Sequence, residues 1–298
     1  MHNRTLIWLL LGGGAFVFLV VTVVALVLTL AQPNGGHDFS FSDRIQVVDI
    51  QGPLVDSRFW IDQLKRYEAS DSVRGILLNI DSPGGGVAVA QELYAEVRRL
   101  RDEKGKTVVA YLSSVGASGA YYVACAADKI VANPGSVVGS IGVIMEWLNY
   151  GNLLEWAKLS NIVFTSGEFK DTGTPTREPT AREQEYFQGL IDDMYVQFVE
   201  AVAIGRELEI SEVRELADGR VFTGREAKER EMIDEIGNFQ DAVNLTARFA
   251  GISGEPRLIR LGRERVTLLD MLTSDISQVL PLSRQGFGLQ MRFQYLWK

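Results

Sequence analysis

The chain has 298 residues, a formal net charge of −8, 46% hydrophobic residues and 23% charged residues, enough for one large domain or two small ones beyond a leader. The acidic balance argues against a nucleic-acid surface, which needs clustered Lys and Arg. A single cysteine, Cys125, excludes an intrachain disulfide and any multi-cysteine metal site; in the apolar run Tyr122-Val123-Ala124-Cys125-Ala126-Ala127 it reads as a small buried hydrophobe.

No Asp, Glu, Lys or Arg lies between Arg4 and Asp38, and residues 6–31 are almost wholly apolar. At 1.5 Å per residue a helix over that stretch is roughly 39 Å long, enough to span a hydrocarbon core of about 30 Å with some tilt. Thr29-Leu30-Ala31 resembles a signal-peptide cleavage site, but the run exceeds the roughly 7–15 residues of a secretory apolar region. The expectation is an uncleaved transmembrane anchor over 6–31 in the cell (inner) membrane. Arg4 and the amino terminus precede it and Asp38 is the first charge after it, so residues 1–5 form a cytoplasmic stub and the rest is extracytoplasmic.

Residues 32–44, with Pro33, Gly35 and Gly36, read as a linker. Strands are predicted at 45–50, 73–80, 107–112, 129–132, 137–144 and 161–165, and helices at 59–69, 87–100, 119–127, 181–208, after an N-cap at Ser211, from 224, and at 239–249. The run Val73 to Ile80 is nearly continuously apolar, as in a strand buried on both faces. Strands alternating with helices across Gly-rich turns indicate an α/β domain over 45–250 with a largely parallel sheet. Residues 251–298 are a C-terminal extension. Its tail from Ser283 mixes Phe, Tyr and Trp with Arg and Lys, which suggests packing on a neighbour or an interfacial contact with lipid or a partner chain.

The chemistry centres on a serine without a histidine. Ser118 lies in Val115-Gly116-Ala117-Ser118-Gly119, between a predicted strand and a predicted helix, where a nucleophilic serine is exposed at a turn. The only histidines, His2 and His37, flank the apolar leader, so a Ser-His-Asp triad is excluded in practice and a lysine is the usual substitute for the base. Lys129, Lys158 and Lys170 are the candidates; Lys170 follows a predicted strand in the Gly-containing loop Ser166-Gly167-Glu168-Phe169-Lys170-Asp171, with Asp171 a competing ion-pair partner. Asp81-Ser82-Pro83-Gly84-Gly85-Gly86 ends a buried strand, and its glycines allow backbone N–H groups to approach a ligand. With the Gly119 N–H at a helix start, the Gly85 N–H forms a candidate oxyanion pair. No Gly-Lys-Ser/Thr follows, which argues against a phosphate loop.

The order of these motifs, with Asn133-Pro134-Gly135-Ser136, Gly139-Ser140-Ile141-Gly142-Val143, Ala217-Asp218-Gly219-Arg220-Val221-Phe222-Thr223-Gly224 and Ile233-Asp234-Glu235-Ile236-Gly237, resembles bacterial signal peptide peptidase A in its short, single-copy form, over about residues 45–250. The resemblance implies a Clp-protease/crotonase-like ββα spiral domain and a Ser-Lys endopeptidase that hydrolyses leftover signal peptides. It implies Ser118 as nucleophile, Lys170 as general base, Gly85 and Gly119 as oxyanion donors, and Ser140 as the hydroxyl that orients the lysine. It further implies homo-oligomers with composite active sites, apolar peptide substrates, contact with membrane lipid, and neither cofactor nor metal. A stomatin-operon-type Ser-Lys protease clipping one membrane partner shares the dyad. A crotonase-like acyl-CoA enzyme or a non-catalytic scaffold would require neither Ser118 nor Lys170.

Overall fold

The computed structural model describes residues 43–261 and 292–297, together with Leu19 and Thr22. Two compact units divide the chain, residues 1–41 and 42–298, and the two sheets belong to the second. The expected anchor over 6–31 lies outside the described residues except for Leu19 and Thr22, both helical. Among the described residues no helix is long and apolar enough to cross a membrane.

The core is a mixed α/β sheet. Strands β1 (Arg44–Gln51), β2 (Val73–Ser82), β4 (Thr107–Ala117) and β5 (Lys129–Ala132) pair in parallel, flanked by β10 (Arg257–Arg260) beside β1 and β9 (Glu235–Ile236) beside β5. The upper end of β4 also pairs with β6 (Val137–Gly139), which in turn pairs antiparallel with β8 (Val221–Thr223). Helices α1 (Arg58–Arg66), α2 (Val87–Asp102), α3 (Gly119–Ala124) and α5 (Ala181–Arg206) are joined by the shorter α4 (Gly151–Trp156), α6 (Ile210–Leu216), α7 (Gly224–Glu229) and the closing α8 (Phe239–Phe249). A second, three-stranded antiparallel sheet places β11 (Arg292–Leu296) between β3 (Gly84–Gly86) and β7 (Ile144–Glu146).

The continuous apolar runs have a direct cause in this layering. Because strand side chains alternate, Val48, Ile76, Leu78, Ile80, Val108, Ala110 and Leu112 pack in the layer of α2, α3 and α5, whereas Ile45, Val47, Leu77, Val109, Tyr111 and Val131 pack with Ala242, Val243 and Leu245 of α8. Both faces are covered, and each fully buried Leu, Ile or Val contributes about 1.5–3 kcal/mol. Helix starts follow local chemistry: Thr180, Thr223 and Asn238 each accept from the third backbone N–H, while Glu183, Glu226 and Asp241 reach back to the cap, a reciprocal capping box in each case.

Three local expectations are corrected. Residues 161–165 form no strand; Asn161 to Thr165 are exposed and unpaired to either sheet, so their β-branched composition is not supported by a neighbouring strand within the chain. The stretch 137–144 is two strands in two different sheets, broken where Gly139 and Ser140 adopt positive φ (100° and 52°). Helix α6 is capped by Glu209, not Ser211, with Glu212 completing its capping box.

Candidate active site

Strand β4 delivers the chain directly to Ser118, and α3 begins at the next residue. Ser118 has φ 53° and ψ −122°, a region an L-residue adopts only under external constraint. The constraint is visible: its N–H donates to the Gly139 carbonyl at 2.6 Å and its carbonyl accepts from the Tyr122 N–H at 2.9 Å. The hydroxyl does not cap the helix it precedes, although Ser is a favoured capping residue. Ser118 is only 1% exposed.

The glycine loop lies against this elbow. A Cβ built on Gly84, whose φ is 95°, would come within 2.6 Å of the Gly119 nitrogen and 2.1 Å of the Tyr295 carbonyl oxygen. Gly84 O accepts from the Leu54 N–H and the Gly86 N–H donates to Leu54 O, both at 2.8 Å. Successive peptide groups of an extended strand face opposite edges, so the N–H and C=O of Gly85 face Tyr295, its partner in register. A Cβ on Gly119 would stand 3.1 Å from the same Tyr295 oxygen. The two glycines named from sequence therefore border one backbone carbonyl.

Ser140 reaches the neighbourhood through Gly139, the acceptor of the Ser118 N–H; its own N–H donates to Arg220 O at 2.8 Å. It lines a cavity of about 570 Å³ with Ile141, Val143, Tyr195, Leu296 and Trp297.

Lys170 is not brought to Ser118 by a hydrogen bond within the described chain. It lies exposed in a turn, its N–H on Gly167 O at 3.1 Å. Asp171 pairs with Arg177 at 3.2 Å rather than with Lys170, and Arg177 also pairs with Glu183 at 2.7 Å. Hydrogen bonds from Arg177, then from the Thr180 N–H, hold the Glu183 carboxyl down at about 2. Residues before this anchored base are open: Trp156, Leu159, Ile162 and Phe164 are exposed, Phe164 at 94%. Of the other two lysines, Lys158 is exposed and Lys129 pairs with Asp234 at 3.0 Å. Asp128, next to Lys129 in sequence, accepts from the Val108 N–H. Cys125 is fully buried, and burial pushes its thiol up to about 12, as expected of an inert core thiol.

Sequence reasoning missed an aromatic pocket beside the elbow. Tyr122, one turn beyond Ser118, packs edge-on against Tyr94 at 5.0 Å and Phe198 at 5.1 Å. Tyr295 completes the cluster. A Tyr following the serine elbow was a legible hint, but Phe198 is 76 residues beyond Tyr122 and no spacing rule connects them.

The chain also compares with known proteins. A family model described as Peptidase family S49 matches residues 100–253. The chain is 39% identical over 209 residues to a candidate protease of Methanocaldococcus jannaschii, covering 70% of this chain and 66% of that one. It is 41% identical over 215 residues to a candidate protease of Synechocystis sp., covering 72% and 75%. A candidate signal peptide peptidase SppA of Enterococcus faecium is 36% identical over 185 residues, covering 62% of this chain and 54% of the relative. With more than half of its length matched and the serine elbow inside the match, the chain belongs to peptidase family S49, the family of signal peptide peptidase A.

Proposed function

We propose that this chain is a membrane-anchored serine endopeptidase that hydrolyses extended apolar peptides, leftover signal peptides among them, with a Ser118–Lys170 dyad on a Clp-protease/crotonase-like ββα spiral domain. The observation that carries the reading is the strained Ser118 beside Gly84, Gly85 and Gly119, where Gly85 is paired in register with Tyr295 and the Tyr295 carbonyl oxygen lies against Gly119. Membership of a peptidase family supports the reaction class.

In this reading Ser118 Oγ attacks the scissile carbonyl, whose oxygen becomes the oxyanion facing the Gly85 and Gly119 N–H groups. Lys170 takes the hydroxyl proton and passes it to the departing amine; water then releases the acyl group by the same route. A lysine serves as a base only when neutral, which enclosure favours. Ser140 holds the amine in line.

Enclosure comes from a second copy of the chain. The exposed run Trp156, Leu159, Ile162 and Phe164 on the Lys170 segment supports an interface between copies, since contiguous apolar surface of this kind marks association. The active site is then composite, Ser118 from one protomer and Lys170 from its neighbour. The anchor keeps this assembly at the outer face of the cell membrane, where signal peptides remain after export.

The test uses the full chain in detergent as wild type, Ser118→Ala and Lys170→Ala, with a synthetic signal peptide from about pH 6 to about pH 10. Wild-type cleavage that rises with pH, and a loss of at least about 100-fold in both variants, is the expected result. Retained activity in Lys170→Ala removes the base assignment. Failure of a fluorophosphonate to label Ser118 in wild type removes the peptidase reading.

A further inference from the structure

Strand β4 does not run straight to the serine elbow. It pairs with β2 in register as far as Ile80 and Leu112, and pairing resumes at Ser82 and Gly116. Between those pairs β2 spends one residue, Asp81, and β4 spends three, Ser113, Ser114 and Val115. The surplus bends the strand: a Cβ on Gly116 would stand 2.6 Å from the Leu112 side chain, although four residues of straight strand span about 13 Å. Below the bend, Val109 to Leu112 pair with β5; above it, Val115 to Ala117 pair with β6 and lead into Ser118. A bulge of this kind re-aims the chain and leaves main-chain groups that the ladder no longer satisfies.

Side chains on both flanks take up those groups. On one flank the Val115 N–H donates to Asp81 Oδ1 at 3.1 Å. On the other, the Ser136 hydroxyl meets the carbonyls of Leu112, at 2.9 Å, and Ser113. Asp81 is itself fixed through its main chain, since its carbonyl accepts from the Gly52 N–H at 3.0 Å. The next residue, Ser82, is buried, and its hydroxyl accepts from the Gly84 N–H at 3.2 Å where the glycine loop begins. Asp81 therefore stands at a fork. Its main chain leads in four residues to Gly85, and its carboxylate holds Val115, three residues before Ser118.

Resting on the peptidase reading above, we propose that Asp81 is a positioning residue for the reaction: by holding the Val115 N–H it sets the bend in β4, and with it the place of Ser118 relative to the Gly85 N–H. It acts through the elbow rather than on the substrate. The contact needs an acceptor oxygen and not a charge, so the amide oxygen of Asn serves equally. Misplacing a reacting group by about 1 Å costs on the order of 100-fold in rate. The remaining contacts to the peptide are untouched, so the loss falls on kcat and leaves KM in place.

The experiment compares wild type, Asp81→Ala and Asp81→Asn as full chains in detergent, each checked for folding by circular dichroism. A synthetic signal peptide gives kcat and KM, and hydrogen exchange read by mass spectrometry follows the elbow. Expected for Asp81→Ala are a kcat at least about tenfold lower, a KM within about twofold of wild type, and amide exchange over residues 113–118 at least about tenfold faster with exchange over β1 unchanged. Asp81→Asn restores all of these to within about threefold of wild type. If Asp81→Ala does not fold, Asp81→Ser, whose hydroxyl is one bond too short to reach Val115, takes its place. A wild-type kcat in Asp81→Ala, or a loss in Asp81→Asn equal to that in Asp81→Ala, overturns the proposal. If no chain cleaves the peptide or takes a fluorophosphonate on Ser118, the peptidase reading falls. Exchange over 113–118 that quickens in Asp81→Ala and recovers in Asp81→Asn then still supports Asp81 as the tie that places the elbow, and unchanged exchange overturns it.

Discussion

The Ser118 N–H donates to the carbonyl of Gly139 at 2.6 Å, and this bond fastens the serine elbow to the short strand β6. The bond holds Ser118 at φ 53° and ψ −122°, where only glycine is at ease. Strain of this kind costs about 1–3 kcal/mol and persists only where the surroundings impose it. Ser118→Gly is therefore expected to be more stable than Ser118→Ala by about 1 kcal/mol, both lacking peptidase activity. Paired denaturant melts measure this; equal stability would show that the elbow is unstrained.

Gly84 is expected to be irreplaceable even by alanine. Its φ of 95° is unfavourable to a side chain, and the added Cβ would meet the Gly119 nitrogen at 2.6 Å. With Gly119 as the proposed oxyanion donor, displacing that peptide is expected to cost about 100- to 1,000-fold in kcat. The check is kcat on a peptide substrate beside a thermal melt, with the catalytic loss expected to exceed the loss of stability.

The base of the Lys170 segment is pH-sensitive through Glu183. Arg177 depresses this carboxyl from its ordinary 4.5 to about 2. A group depressed on folding stabilises fully above its unfolded value, and that contribution is lost as pH falls through the folded one. Stability from Glu183 is thus complete above about pH 4.5 and disappears towards pH 2. Glu183→Gln, which weakens the Arg177 pair and the capping box, should lower stability by about 1–2 kcal/mol at neutral pH and flatten the acid limb of a stability–pH curve. A variant with the wild-type acid limb would refute the assignment.

Phe164 is 94% exposed, so Phe164→Glu should leave the stability of the folded protomer within about 0.5 kcal/mol of wild type. If the Lys170 segment is an interface between copies, the same substitution lowers the mass in solution and, with it, the turnover. Light scattering after size exclusion decides; an unchanged mass would remove the composite site.

Breaking the cluster under α5 should have the opposite profile. Asp234 joins Arg206 at 2.8 Å, Lys129 at 3.0 Å and the Ile130 N–H at 2.8 Å. Burial raises its carboxyl, but the Arg206 hydrogen bond and charge outweigh it and the net shift is downward. Asp234→Ala strands Arg206, 8% exposed, without its partner. A loss of about 3 kcal/mol follows, with the Ser118 labelling rate per folded molecule unchanged.

Most of the sheet was legible because its signals are local. Buried parallel strands such as Val73 to Ser82 carry a nearly continuous apolar run, and the starts of α7 and α8 carry their own capping residues. The serine elbow, the glycine loop and the absent histidine were equally plain, since small residues at fixed offsets are written in one stretch of chain. The Asn161 to Thr165 segment misled because β-branched residues suit a strand only where a partner is present, and none lies beside it in the described chain.

The sequence by itself determined the layered α/β core, the position of Ser118 and its glycines, and the family, because each rests on short-range pattern. Only the tertiary structure decided that Tyr295 enters a pocket between Tyr122 and Phe198 and turns its carbonyl toward Gly85 and Gly119. Those partners are more than 90 residues from the tail. Strand pairing is made by backbone groups that every residue carries, so nothing in the tail's side chains announces where its main chain will bind.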